Sequence, residues 1–214
     1  PIATSHPFFH STALSQLIYT AQKDFEDELM PVFVITGASG GGKSSILKGL
    51  ADRGFQTEPE VGREIVREQT EACGKALPWQ DRVAFRNLLF QRSLDVYEAL
   101  DKANPAPIFF DRSFVEAIAY SRIIHEPVPS TMSKALQLHR FNNPVFVCMP
   151  WKEIFSNDPE RRHDFEFAVK DYEANVSAYH ENGYQMIDVP KWPVPKRVEF
   201  ILENLVQAGF DTRT

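Results

Sequence analysis

From residue 31 onwards, short apolar runs alternate with longer stretches that have helical spacing of apolar residues. The runs are apolar throughout rather than at every second position, which is typical of parallel strands covered on both faces. They predict strands at residues 32–36, 55–57, 107–111, 145–149 and 184–189. Helices are predicted at residues 43–53, 62–71, 79–102, 113–124, 131–141, 164–182 and 195–208. Strands alternating with helices in this way favour a doubly wound α/β sheet.

Residues 1–30 stand apart from this alternation. Their apolar positions are spaced for one amphipathic helix, at Leu14, Leu17, Ile18, Ala21 and Phe25. We therefore expect a helical N-terminal extension at residues 1–30 and one main domain at residues 31–214.

Composition and charge exclude several classes of protein. Hydrophobic residues make up 43% and charged residues 24% of the 214 residues, which is ordinary globular usage. The net charge of −6 argues against broad nucleic-acid binding. No apolar run approaches the roughly 18 residues of a membrane span, no secretory signal opens the sequence, and two cysteines make no disulfide framework. The default expectation is a cytoplasmic protein, and nothing in the pattern indicates an oligomeric state.

The strongest motif is a glycine-rich loop between the first strand and the first helix. Residues 37–44 read G-A-S-G-G-G-K-S, which matches G-x-x-x-x-G-K-[ST]. In such a loop, backbone N–H groups and a helix N-terminus bind phosphate oxygens, Lys43 reaches the β- and γ-phosphates, and the Ser44 hydroxyl binds Mg²⁺. The predicted nucleotide contacts are Gly37, Ser39, Gly40, Gly41, Gly42, Lys43, Ser44 and Ser45. The motif predicts a three-layer α/β P-loop NTPase with a five-stranded parallel sheet in the order 2-3-1-4-5.

Asp111 ends the third predicted strand, in I-F-F-D-R-S. An acidic residue in this position is typical of a Walker-B carboxylate that holds Mg²⁺ directly or through water. The alternative is that Asp111 caps the next helix, a role that Ser113 could also fill.

A charged segment, E-V-G-R-E at residues 60–64, follows the second strand. Because ligands bind beyond the carboxyl ends of parallel strands, this segment is expected on the same rim as the glycine loop. Glu60 could accept a proton from an attacking hydroxyl, and Arg63 could hold a phosphate or a sugar. The alternative is a solvated first helical turn in which Glu60 complements the helix dipole.

A lid is predicted at about residues 151–165, after the fourth strand. Arg161 and Arg162 lie where a closing lid could stabilise charge on a transferred phosphoryl group. A polar helix start bearing a solvated charge cluster is the alternative.

The order of these motifs resembles bacterial P-loop proteins described as predicted AAA-type ATPases, over roughly residues 31–208. These look like relatives of the nicotinamide riboside kinase domain and of a eukaryotic GTP-binding, lipid-interacting translocation-defect protein. The likeness includes A-L-P-W at residues 76–79, F-D-R-S at 110–113, and P-W at 150–151 followed by D-P-E-R-R at 158–162. A wider likeness is to nucleoside and thymidylate kinases.

This resemblance implies a role for each matching residue. Glu60 would be the general base and Asp111 the Mg²⁺ carboxylate, while Arg63 and Arg112 would contact substrate or phosphate. The implied catalytic set is Lys43, Glu60, Asp111, Arg161 and Arg162. Further substrate-side candidates are Trp79 and Glu116, the latter standing where these ATPases usually have Asp.

The predicted activity is Mg²⁺-dependent phosphoryl transfer from ATP, or GTP, to a small nucleoside-like or related metabolite. The expected partners are a nucleoside triphosphate and a small-molecule acceptor. The alternative is a nucleotide-binding regulatory ATPase or GTPase that signals through a protein or lipid partner.

Overall fold

A five-stranded parallel sheet forms the centre of the domain, in the order β2-β3-β1-β4-β5. The computed structural model describes residues 31–101, 105–156 and 162–213. The strands are β1 (Val32–Gly37), β2 (Gln56–Glu58), β3 (Ile108–Asp111), β4 (Val145–Cys148) and β5 (Met186–Val189). The predicted sheet order is therefore confirmed, whereas the expected helix within residues 1–30 lies outside the described residues.

Seven helices connect and cover these strands within the described part of the chain. They are α1 (Lys43–Ala51), α2 (Val61–Glu71), α3 (Arg82–Glu98), α4 (Val115–Ile123), α5 (Ser130–Leu138), α6 (Phe165–Glu181) and α7 (Val194–Gln207). The third was predicted to begin at Trp79 but begins at Arg82. The reason is local, because the Asp81 carboxylate accepts the Ala84 N–H at 2.9 Å and caps the helix there.

One face of the sheet packs against α1 and α7. Phe33 and Ile35 of β1 are fully buried on this side, where they join Leu50 of α1 and Ile201 of α7 in one apolar cluster. Because side chains alternate along a strand, the neighbouring Thr36 faces the other layer.

Aromatic residues fill much of the opposite layer. Phe110 of β3 packs against Phe141, and both lie close to Tyr97 of α3. Phe114, just before α4, completes this cluster through contacts with Tyr97 and Phe141. Helices thus cover both faces of the sheet, which gives the three predicted layers.

The strand register brings three strand ends to one rim. Ile35 of β1 lies beside Asp111 of β3, and Gly37 lies beside Cys148 of β4. The loop that follows β1 therefore lies between the ends of β3 and β4. No helix within the described residues is long and apolar enough to cross a membrane.

Candidate active site

The glycine-rich loop begins where β1 and β4 approach too closely for any side chain. Gly37 has a φ of +117°, and a Cβ atom there would lie 2.1 Å from the carbonyl oxygen of Cys148. The Ala38 N–H donates to this same carbonyl at 2.9 Å, which fastens the loop to β4. Gly42, with a φ of +83°, ends the loop as the N-cap of α1. The loop therefore wraps a helix N-terminus, where N–H groups and the helix dipole attract anions.

Lys43, the first residue of α1, is buried with its ammonium group turned back into the loop. Its Nζ donates to the carbonyl oxygens of Ala38 at 2.9 Å and Gly37 at 3.3 Å. Burial lowers the pKa of Lys43, and the nearby Arg112 guanidinium lowers it further. A phosphate group would provide the full counter-charge that two carbonyl dipoles provide only in part.

Asp111 and Ser44 meet at the rim, as the order of the motifs predicted. The Ser44 hydroxyl donates to Asp111 Oδ2 at 3.1 Å, while the buried Oδ1 has no hydrogen-bond partner within the described residues. Burial raises the pKa of Asp111, although the charge of Lys43 opposes this. A hydroxyl beside a carboxylate with an unused oxygen is a donor set that Mg²⁺ prefers, so these two residues fit the ion.

The alternative role of Asp111 as a helix cap does not match the geometry. The hydroxyl of Ser113, rather than the carboxylate of Asp111, accepts the Val115 N–H at the start of α4, at 3.2 Å. The same hydroxyl is hydrogen-bonded to the phenol of Tyr179 at 2.7 Å, which ties the end of β3 to α6. Asp111 is left facing Ser44.

Arg112 is the centre of a charge network behind the rim. Its Nε lies 3.3 Å from Glu60 Oε1, its Nη2 lies 3.2 Å from Asp171 Oδ2, and its Nη1 contacts Glu116. Glu116 also accepts a hydrogen bond from Thr36. Burial opposes the charge of Arg112, but the three carboxylates raise its pKa well above the usual value. Its φ of +69° is uncommon for a residue with a side chain, and these ion pairs hold it there.

Glu60 lines a cavity of about 150 Å³ next to the phosphate loop. Its carboxylate pairs with Arg63 at 3.2 Å and with Arg112 at 3.3 Å, with only 20% of the side chain exposed. The apolar lining consists of Pro59, Val61, Val66, Pro78, Phe85, Leu89, Phe110, Tyr120 and Phe167. Glu60 is thus mostly buried beside a partly open, mostly apolar space.

A second and larger space, of about 430 Å³, runs along the outside of the loop. It is lined by Gly40, Gly42, Lys43, Ser44, Ser45, Glu60, Trp151, Ile154, Trp192, Pro193, Val194 and Arg197. Glu60 is therefore common to the cavity and to this groove.

The described parts of the predicted lid contact both sides of the site. Phe155 packs on the phosphate loop so closely that a Cβ atom on Gly40 would lie 2.7 Å from its ring. The Arg162 guanidinium lies 4.1 Å from the ring centroid of Trp79. Two predicted residues are thus brought together, while Arg161 lies outside the described residues.

Residues 32–197 match the model of the AAA_28 family, which is described as an AAA domain. The chain belongs to this family. The resemblance to P-loop proteins of the AAA type is confirmed. Among curated proteins, none matches the chain significantly.

Solved structures of kinases share the architecture of this AAA-domain protein. Thymidylate kinase from Ehrlichia chaffeensis superposes with a TM-score of 0.55 at 13% identity, over 81% of this chain and 98% of that chain. Shikimate kinase from Acinetobacter baumannii, in complex with shikimate, gives 0.55 at 14% identity, over 87% and 97%. The NadR protein in complex with NR gives 0.65 at 16% identity, over 92% of this chain and 59% of that chain. These likenesses show that the chain has the α/β P-loop kinase fold.

Several residues at the site were not predicted from the sequence. Asp171 of α6 completes the Arg112 network, and Arg197 of α7 lines the groove. Both stand at positions of a mostly apolar helical stripe. Asp171 follows the buried Ala168 by three residues, and Arg197 precedes the buried Ile201 by four. A charged residue within such a stripe is the signal that could have revealed them.

Proposed function

We propose that this protein is an ATP- and Mg²⁺-dependent phosphotransferase that phosphorylates a hydroxyl of a small nucleoside-like or related metabolite. The observation that carries the proposal is that Glu60 lines both the cavity and the groove along the phosphate loop. A carboxylate at this junction can take the proton of an acceptor hydroxyl on one side while a phosphoryl group arrives from the other. A regulatory ATPase or GTPase has no need of an acceptor cavity beside the loop.

In this proposal the protein acts mainly by positioning and by neutralising charge, since phosphoryl transfer needs no covalent intermediate on the enzyme. The loop N–H groups and Lys43 bind the phosphates, and Arg63 and Arg112 fix the carboxylate of Glu60. Mg²⁺, when held by Ser44 and Asp111, would neutralise charge on the phosphate oxygens. Of the predicted lid, Trp151 and Ile154 line the groove and His163 lines the cavity.

The charges of the cavity favour an acceptor that is neutral or cationic. Among its described lining residues, carboxyl groups outnumber guanidinium groups by four to two, namely Glu60, Asp111, Glu116 and Asp171 against Arg63 and Arg112. If Asp111 is assigned to Mg²⁺, three carboxyl groups still face two guanidinium groups. An acceptor carrying a phosphate or carboxylate would meet repulsion in a space that screens charge poorly. The apolar walls suit a flat, ring-containing body.

The test is product formation from a panel of hydroxyl compounds, read by mass spectrometry with ATP and, in parallel, GTP. We expect phosphorylated product from neutral or cationic nucleosides, and at least about tenfold less from anionic analogues such as nucleoside monophosphates, since about 1.4 kcal/mol of repulsion suffices for that ratio. A protein whose nucleotide turnover no compound stimulates would contradict the proposal.

Asp111→Asn tests the metal assignment. The substitution removes a negative oxygen from a site suited to a hard cation, so activity should require on the order of 10- to 100-fold more Mg²⁺. The measurement is a Mg²⁺ titration of phosphotransfer, with Asp95→Asn, an exposed carboxylate on α3, as the control. An Asp111→Asn titration curve that overlays the wild-type curve would show that this carboxylate does not hold the ion.

A further inference from the structure

Arg197 reaches the phosphate loop from the far end of the chain. It lies in the first turns of α7 and is only 2% exposed. Its Nη2 donates to the carbonyl oxygen of Gly41 at 3.0 Å and to Cys148 Sγ at 3.1 Å. Its Nη1 lies 2.6 Å from the point that a Cβ atom on Gly42 would occupy. The guanidinium is thus packed directly against the turn of the loop.

The positive charge of Arg197 has no negative partner within the described residues. Carboxylates form none of the contacts of its guanidinium, and its buried Nε has no hydrogen-bond acceptor there. Burial raises the pKa of the Cys148 thiol, so the sulfur is neutral and balances no charge. The Trp151 ring, 5.7 Å from the guanidinium carbon, offers only a weak cation–π contact. A buried cation without a counter-ion destabilises a fold unless a ligand supplies the anion.

Arg86 is a second buried arginine, and its contacts are those of a residue with a structural role. It is 4% exposed, and its guanidinium donates to the Ser121 hydroxyl, the Pro127 carbonyl and the Asn87 side chain. Arg86 has no carboxylate partner within the described residues either, but its Nε, Nη1 and Nη2 all donate to neutral acceptors, whereas the buried Nε of Arg197 has none. Arg86 lines neither the cavity nor the groove. Arg197, by contrast, lines the groove together with Lys43 and Ser44.

The bond to Gly41 also orients the loop. In a trans peptide the C=O and the following N–H point in opposite directions. Holding the Gly41 carbonyl toward Arg197 therefore turns the Gly42 N–H away from the guanidinium, which leaves this N–H available to an anion.

We propose that Arg197 is a positioning residue for nucleotide binding, which fixes the Gly41–Gly42 peptide and supplies a positive charge that only the bound phosphates neutralise. The proposal rests on the nucleotide binding proposed above. It assigns to α7 a part in recognising the triphosphate, beside the loop and Lys43.

The experiment compares Arg197→Met with Arg86→Met by thermal unfolding and by calorimetry with ATP, pyrophosphate and adenosine. For Arg197→Met we expect an unchanged or higher melting temperature without ligand, and affinities for ATP and pyrophosphate that are about 10- to 100-fold lower. Adenosine affinity should not change. Arg197→Lys, which keeps the charge, should recover part of the loss. Arg86→Met should do the opposite, with a lower melting temperature and unchanged ATP affinity.

Other outcomes overturn the proposal. If Arg197→Met binds ATP within about twofold of the wild type, or is destabilised or unfolded like Arg86→Met, then Arg197 is a packing residue. If the wild-type protein itself binds neither ATP nor pyrophosphate, the nucleotide-binding proposal fails first and this one fails with it. The wild-type titration therefore separates the two failures.

Discussion

Replacing Glu60 with glutamine should reduce acceptor phosphorylation by about 10²–10⁴-fold while leaving ATP affinity nearly unchanged. The amide has the size of the carboxylate but cannot take up a proton, so the acceptor hydroxyl would lose its base as its bond to phosphorus forms. The phosphates are bound elsewhere, by the loop and Lys43. The measurement is the initial rate of product formation together with a calorimetric titration of ATP.

Two controls separate proton transfer from the loss of ion pairs. Arg63→Met removes one partner of Glu60 and keeps the carboxylate, so its loss of rate should be much smaller. Glu58→Gln changes a carboxylate on β2 that bonds to Gln56 and lines neither the cavity nor the groove, so it should have no effect. If no compound stimulates the wild type and Glu60→Gln hydrolyses ATP at the same basal rate, the regulatory alternative replaces the kinase.

The sheet and the phosphate loop could be predicted because each follows from local pattern and a general topological rule. Uniformly apolar runs indicated buried parallel strands, and the loop motif lay between a strand and a helix. Since the carboxyl ends of parallel strands share a rim, Ser44 and Asp111 were expected to meet, and they lie 3.1 Å apart. The ends of helices were predicted least accurately from the sequence. The helix that begins at Arg82 is an example, because one capping side chain decides where it begins.

The long-range contacts of Asp171 and Arg197 could not be predicted, because no spacing rule relates these residues to their partners. Asp171 is 59 residues from Arg112, and Arg197 is 156 residues from Gly41. Each contact depends on how a helix packs across the sheet rather than on any local propensity. Its position in the sequence also placed Arg162 in the lid. Its stacking on Trp79 could not be predicted, because the two residues come together only in the folded chain. Sequence patterns therefore do not predict the contacts that functional side chains make from distant helices.

Lys43→Met should lower ATP affinity about 10- to 150-fold, the effect of losing a charge-assisted contact of about 1.5–3 kcal/mol. The rate of phosphotransfer with saturating ATP should fall by roughly a further 10²–10³-fold, because the lysine also neutralises charge that develops in the transition state. Calorimetry with ATP and single-turnover kinetics measure the two effects separately.

The fold should survive Lys43→Met, since burial already lowers the pKa of this lysine and its charge is unfavourable in the free protein. The matched control is Lys48→Met on the same helix, an exposed lysine paired with Asp52 at 2.9 Å, which should leave affinity and rate unchanged. ATP affinity and phosphotransfer rate that both equal the wild type in Lys43→Met would remove the phosphate loop from the proposed mechanism. A loss confined to the rate would instead mean that the loop N–H groups suffice for binding and that Lys43 acts only on the transition state. We expect a loss of both affinity and rate, because the ammonium group already lies inside the loop, within hydrogen-bond reach of Ala38.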